Sequence, residues 1–583
     1  MTCCGVIEWC VVCLVLYDGL VVLCDAHPRA TICYDTMISR KDTQRLNSLD
    51  DALITALCQK APVARKRSVW RNRVLQRRFS ASKRGLGPFR EFETFLSKKG
   101  LFDIRIERHH WTDCDGRRYR HTLARAAVTD MWPMGTHYWL RDSAIIGARL
   151  LQSSQERSRA IGREILISGM NFISSVSQLA RFEAIIRSTS ARYRSDSNNW
   201  PFIFAGIKGN LSTAHPEPWA HKQDAWQILA WHVLSAIEAG QISTRDLTEK
   251  HRLFLGRIVP FLAKVSFWSC ENSGSWEEIP SVRTSVRAWE HRLIVRLGEL
   301  SKRREFSFLA QQYTRKRKFL GRQLARMSFA GAVDFLDTKA TEVMVGDLPF
   351  EAPGYSKRDP RYRTEDGALI YLLELDYVWF LAQRAGKSKR WARQMEERIL
   401  SGVLSLQDSW SGGIYRYAND SYQRSGFFRY LTVAKLNELY GAPSGESSTH
   451  FTERGRIVPT GRRAAWTHFV AQLSAWAGTR FLETGEASYR KLHERFFAQS
   501  LALVTAQHER SLEVDSKGQS KIISIPAWKM PECYIADRDQ QGRELVFPSP
   551  HTPLNWATAE LINAFTVHRR TIQHTSRVAG RTR

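Results

Sequence analysis

The chain has 583 residues, a formal net charge of +28 from 86 Lys+Arg against 58 Asp+Glu, and 43% hydrophobic residues with 19 Trp, 28 Phe and 17 Tyr. That balance excludes a disordered or fibrous chain and leaves several domains or one large architecture with a generous core. The charge would suit nucleic acid, an anionic surface or an acidic polymer. Yet the basic residues come in short clusters, Lys66 to Arg78 among them, with no zinc-ligand spacing, phosphate loop or RNA-binding aromatic signature beside them, so a generally basic surface and no specific nucleic-acid partner are expected.

Six cysteines fall within the first 33 residues (Cys3, Cys4, Cys10, Cys13, Cys24, Cys33), and the remaining Cys58, Cys114, Cys270 and Cys533 are far apart. This is no disulfide framework, and a reducing, cytoplasmic compartment is expected. The opening run MTCCGVIEWCVVCLVLYDGLVVLC is apolar, but it lacks a basic flank and is interrupted by Glu8 and Asp18. It matches neither a signal peptide nor a membrane span well, so no firm membrane association is expected, and Met37 stands as an alternative start. Residues 1–90 read as an N-terminal extension, 91–575 as one barrel and 576–583 as a basic tail.

From Glu91 onward apolar residues recur at helical spacing, as in Trp226, Leu229, Val233 and Ile237. The segments from Asp366 to Gly386 and from Phe427 to Gly441 are apolar nearly all round, and each ends at a glycine suited to a C-cap. A helix without a polar face must be covered on every side. Amphipathic segments such as Ser388 to Leu406 lie between them and would supply that cover. Apolar helices beginning near Asp142, Asp224, Val282, Asp366, Phe427 and Trp556, each preceded by a more polar one, predict an all-α fold of six helical hairpins closed into an (α/α)6 barrel.

Such a ring brings the N-termini of all inner helices to one end, and the residues preceding them are chemically alike. They include Tyr138, Trp139, Arg141 and Asp142 in THYWLRD; Trp219, His221, Gln223 and Asp224 in EPWAHKQD; and Trp276, Glu277 and Glu278 in SGSWEE. YRTEDGA precedes the fourth. Arg416 and Tyr417 lie in GGIYRYANDSYQ, Glu532 in PAWKMPECY and Trp556 in PSPHTPLNWATAE. Taken singly, each has an ordinary explanation: acidic residues favour a helix's first turn because the macrodipole there is positive, and a lone Trp is usually core. Aromatic, Arg and carboxylate residues at the same phase of six successive hairpins are harder to explain as caps.

YWLRD, GSWEE, GGIYRYANDSYQ and the closing PE followed by SPHTPLNWATAEL resemble, in order and approximate spacing, the glucoamylase family, glycoside hydrolase family 15, over roughly residues 110 to 570. HKQDAW is also similar to the helical domain of phosphorylase kinase regulatory subunits. The resemblance implies an (α/α)6 barrel that releases glucose with inversion from the non-reducing ends of α-glucans or oligosaccharides. Glu277 would be the general acid and Glu532 the general base. Arg141, Asp142 and Arg416 would hold sugar hydroxyls, while Trp139, Trp219 and Trp556 would stack on pyranose faces. Tyr138, His221, Gln223, Asp224, Trp276, Glu278 and Tyr417 complete the expected substrate-binding set. Inversion needs two carboxyl groups about 6.5–9.5 Å apart, which residues on opposite barrel walls satisfy and the neighbours Glu277 and Glu278 do not. Neither a metal nor a cofactor is required.

The chain departs from the family at Gly274, where fungal members carry aspartate, at Cys533, where glutamine is common, and in WAHKQD. A non-catalytic, regulatory carbohydrate-binding protein is therefore the second reading. Retention of both Glu277 and Glu532 favours the enzyme.

Overall fold

The computed structural model describes residues 13–17, 20–24, 72–83, 85–112, 118–124, 137–196, 199–206, 224–276, 280–359, 361–409, 411–418, 420, 464–514, 520–538 and 544–581. The chain divides into two compact units, Met1–Asn47 and Ser48–Arg583. Within the first, strands Cys13–Tyr17 and Leu20–Cys24 pair antiparallel.

In the second unit, helices Leu140–Leu151, Ala225–Glu238, Thr284–Leu300, Ile370–Glu374, His468–Thr484 and Asn555–Arg581 pack side by side in that order, and the last returns to pack on the first. This closed ring is the inner wall of an (α/α)6 barrel. Every residue from Leu140 to Leu151 is buried, the polar Arg141, Asp142, Ser143 and Arg149 included. The outer layer is Leu86–Lys98, Glu156–Ile173, Glu249–Val265, Phe329–Asp347, Lys389–Ser405 and Ala487–Ala502, each preceding its inner partner in sequence. Lys389–Ser405 shows the amphipathic rule: Ala392, Met395, Glu396, Ile399 and Val403 form its buried stripe, and the Ser388 hydroxyl caps it by accepting from the Trp391 N–H.

Aromatic residues join the layers. Phe182 of helix Val176–Arg187 meets Trp226 edge to face at 5.5 Å, and Phe254 and Phe261 close around the pair. Each such fully buried ring contributes about 1.5–3 kcal/mol by leaving water. Helices Arg73–Ser82 and Leu86–Lys98 are sealed to the barrel the same way, through Phe79 and Phe89 against Phe497 and through Phe89 against Phe565. Packed structure thus begins before residue 90, at the FSASKRGLGPF stretch that was read as part of the extension. At the other end, the final inner helix runs to Arg581 through the segment read as a tail.

Three further features differ from the sequence reading. The fifth inner position belongs to His468–Thr484, while the segment from Phe427 to Gly441 expected there lies outside the described residues. The long apolar run after Asp366 is broken: Ile370–Glu374 ends before Asp376, whose φ of +51° turns the chain into Tyr377–Arg384. Short strands also intervene. Glu544–Pro548, Cys533–Arg538, Ala464–Trp466 and Ile414–Tyr415 form a four-stranded antiparallel sheet just ahead of the fifth and sixth inner helices. Strands of two to six residues are too short for alternation to register. Among the described residues, no helix is long and apolar enough to cross a membrane.

Candidate active site

A circuit of contacts joins the N-terminal ends of the inner helices. Arg141, in the first turn of the first, donates from Nη1 to Asp224 Oδ1 (3.4 Å) at the start of the second. Asp224 Oδ2 accepts from the Ser275 hydroxyl (2.7 Å) in the turn before the third. Its neighbour Trp276 donates its indole N–H to Asp366 Oδ1 (2.7 Å) at the start of the fourth, and its ring meets Phe469 of the fifth edge to face at 5.5 Å. His468 of the fifth stacks on Trp556 of the sixth at 4.2 Å, and Trp556 lies under the Arg141 guanidinium at 5.8 Å. The circuit closes on the residue where it began.

Helix N-termini carry partial positive charge, and a mouth formed by six of them favours anions. Carboxylates occupy it accordingly. Burial pushes the Asp142 carboxyl up to about 6 against the pull of Arg141, and the charges of Glu532 and Asp224 add to the rise. That influence places Glu532 within electrostatic reach of Asp142, although the two are 390 positions apart in the chain. Burial likewise raises Asp366, against Arg363 and Arg283, and takes His468 down to about 3 with help from Arg141, so its imidazole is neutral.

Glu532 is fully buried and held by its surroundings. Its Oε2 accepts from the Ser549 hydroxyl (3.0 Å) and its N–H donates to the His551 carbonyl (3.2 Å). Its carbonyl accepts from the Thr467 N–H (3.2 Å) immediately before the fifth inner helix. The short sheet thus serves the site: it delivers Glu532 between the fifth and sixth inner helices. Cys533 follows with its thiol pushed well up by burial and by the Glu532 charge, a neutral filler rather than a nucleophile.

On the same sheet, just after strand Ile414–Tyr415, Arg416 is clamped by Asp420 through two bonds, Nε to Oδ2 at 2.8 Å and Nη2 to Oδ1 at 2.6 Å, and its guanidinium lies 5.5 Å from the Trp276 ring. Tyr417 covers the Arg363 guanidinium at 3.7 Å, and Arg363 in turn donates to Asp366.

Trp139, Arg141, Asp142, Asp224, Trp276, Arg416, Tyr417, Glu532 and Trp556 are all buried around this mouth. Tyr138 is not part of it. Neighbouring residues of a strand face opposite ways, and the Tyr138 ring is turned to the outer layer, edge to face with Phe172 at 5.6 Å. Asp224 takes a different part from the one expected: both its oxygens are engaged by the protein, making it a strut between three hairpins. Glu277, Glu278, Trp219, His221 and Gln223 lie outside the described residues. Among the described residues that flank them, Asn272 and Ser281 exchange backbone bonds of 2.8 and 3.0 Å. Gly274 in that turn has φ of +66°, and a Cβ there would lie 2.4 Å from Arg283 Cδ, so glycine is required by both backbone and space.

Trp466, His468 and Ser549 were missed in the sequence. Trp466 lies 5.7 Å from Trp276, and the other two touch Trp556 and Glu532. The rule that site residues precede inner helices would have found Trp466 and His468 once the fifth helix was placed.

No protein-family model matches the chain, and no curated protein matches it. Solved structures similar to it include a glycosidase variant in complex with glucose, at 14% identity over 77% of this chain and 92% of that one with a TM-score of 0.45. A glucoamylase from Saccharomycopsis fibuligera aligns at 12% identity over 77% and 89% with a TM-score of 0.44. The family 15 glucoamylase from Hypocrea jecorina gives 12% identity over 77% and 67% with a TM-score of 0.39.

Proposed function

We propose that the protein is an inverting, exo-acting glycoside hydrolase that releases glucose from the non-reducing ends of α-glucans or oligosaccharides in a reducing, cytoplasmic compartment. The observation that carries this reading is Glu532: a buried carboxylate, oriented by Ser549, at a mouth lined by tryptophans and by arginine–aspartate pairs from successive hairpins. Indole faces suit pyranose rings, and fixed charged pairs suit vicinal hydroxyls.

In this mechanism Glu532 is the general base and takes the proton of a water that attacks the anomeric carbon. Glu277 is the general acid and protonates the departing glycosidic oxygen. Arg141, Asp142 and Arg416 hold hydroxyls of the terminal sugar, while Trp139, Trp276 and Trp556, with Trp219, Glu278, His221, Gln223 and Tyr417, complete the substrate contacts. Asp142 and Arg141 differ in what they offer: a carboxyl at about 6 is partly protonated in weakly acidic solution and both donates and accepts, whereas the guanidinium only donates. A protein-held base and acid suffice for the chemistry as written.

The test is glucose release, with the anomer read by NMR, from maltose, maltotriose, starch, isomaltotriose and trehalose. β-Glucose is expected from wild type, with a loss of about 10²- to 10⁴-fold in Glu532→Gln and Glu277→Gln. Equal activity in Glu532→Gln overturns the assignment. Binding of these sugars without any release would move the protein to the regulatory class.

A further inference from the structure

Among the segments that precede the inner helices, YRTEDGA before the fourth supplies neither a sugar contact nor a reacting group in the hydrolytic mechanism. Its aspartate, Asp366, is fully buried. Asp366 Oδ1 accepts from the Ala368 N–H (2.8 Å) and from the Trp276 indole N–H (2.7 Å), while Oδ2 accepts from Arg363 Nη1 (3.2 Å).

The bond to Ala368 is an ordinary cap on the turn Gly367–Leu369, and a cap needs only a short acceptor such as a serine hydroxyl. A carboxylate taken wholly out of water is costly unless cations and donors compensate it. Burial drives Asp366 up, Arg363 and Arg283 oppose the rise, and the charge of Asp366 in turn raises Glu351, itself fully buried. Capping alone does not account for a buried charge at this position.

What the carboxylate holds is more than its own turn. Through its side chain Asp366 fixes the indole of Trp276. Through its backbone it is bridged antiparallel to Tyr417, and the next N–H, that of Gly367, donates to the Arg416 carbonyl (2.7 Å). Arg363, the cation on Oδ2, lies over the Tyr417 ring at 3.7 Å. Gly367 lets this turn come close to the fifth inner helix: a Cβ there would lie 2.8 Å from Phe469 Cε2, and Phe469 is the ring that meets Trp276 edge to face. A short side chain bonded to its own backbone has little freedom. It is therefore a fixed reference for groups that arrive from two different hairpins.

We propose that Asp366 is a positioning residue for the sugar site: it holds the Trp276 ring and the Arg416–Tyr417 turn in register, and so sets how firmly the terminal sugar is bound. This role rests on the carbohydrate reading of the mouth and on no particular reaction there.

The test titrates the full-length protein calorimetrically with glucose, which is not turned over, as wild type, Trp276→Phe, Asp366→Ser and the double variant. Trp276→Phe keeps an aromatic ring and removes the N–H. Asp366→Ser keeps a cap acceptor for Ala368 and removes the carboxylate. Each single variant is expected to weaken glucose binding about tenfold, and the double variant no further than Asp366→Ser alone, because both break one linkage. A residue that merely caps predicts wild-type affinity in Asp366→Ser, and that result overturns the proposal, as do losses that multiply in the double variant. Should Asp366→Ser fail to fold, Trp276→Phe decides alone, and wild-type affinity there overturns the proposal. A wild type that binds no glucose overturns this role together with the carbohydrate reading. Glucose release from maltose with undiminished affinity in the variants defeats only this role. Weakened affinity in the variants without any release by wild type defeats only the reading of Glu532 as a catalytic base.

Discussion

At one mouth of the barrel Asp224 has both oxygens engaged, by Arg141 and Ser275, and Arg416 is fixed by two bonds to Asp420. At the other, Trp289, Trp476, Gln472 and Asn563 keep buried polar atoms without a protein partner. The same helices frame both ends, so the difference comes from direction. N-termini present positive dipole ends that recruit carboxylates, and those carboxylates then orient arginines, whereas toward the C-terminal ends the order is reversed and Arg149 and Arg480 gather Glu374, Glu560 and Glu483. Pairs locked in advance suit a site where charge develops in a reaction, because nothing must reorganise when it does.

The largest stability effect that would break this contrast lies between the two mouths. Arg149 holds Glu374 and Glu560, and Gln472 and Trp556 add further bonds to Glu560 at 3.1 and 3.3 Å. Replacing Arg149 with Met leaves two carboxyl groups without their cation and is expected to cost about 3–5 kcal/mol in denaturant unfolding. A change under 1 kcal/mol would show that the two ends are not mechanically joined through this network.

A smaller effect is expected from Asp224→Asn, which keeps the shape but turns one acceptor oxygen into an amide. Loss of the Arg141 or the Ser275 bond should cost about 1–3 kcal/mol. If the strut role is right, sugar affinity at the Glu532 mouth falls as well, and an unchanged affinity there would remove that role.

The third effect is a slope. Burial raises Glu290 to about 8, with the Gln227 bond opposing the shift. In the unfolded chain this carboxyl releases its proton near 4.5, so between about 4.5 and 8 the folded state binds more protons and stability falls as pH rises. One such group contributes about 1.4 kcal/mol per pH unit across that window. Glu290→Gln should flatten the decline of the unfolding midpoint between pH 5 and pH 8, and an unchanged slope would assign it to Glu351, raised to about 7, and Asp142 instead.

The barrel was legible because burial leaves a mark that local pattern can read. Ala225–Glu238 is apolar around most of its circumference, Lys389–Ser405 only along a stripe, and the alternation of the two kinds implies a double ring. Glu532 and Arg416 were reachable by the same route, as residues at one phase of successive hairpins. The fifth inner helix was not. Phe427 to Gly441 and His468–Thr484 are similarly apolar, and composition cannot say which one fills the gap between Ile370–Glu374 and Asn555–Arg581. Trp466 and His468 were lost with it.

Tyr138 and Trp139 show the finer limit. Both are aromatic, adjacent and buried, and only the pleat of a three-residue strand sends Tyr138 toward Phe172 and away from the mouth. The sequence by itself determined which helices must be covered on all sides and which residue types precede them, since both follow from hydrophobic burial and are local. The tertiary structure decided which groups pair: that Asp224 would be a strut and that Ser549 would hold Glu532. Those outcomes depend on side-chain direction and on partners 17 to more than fifty residues distant, and helical period or composition encodes neither.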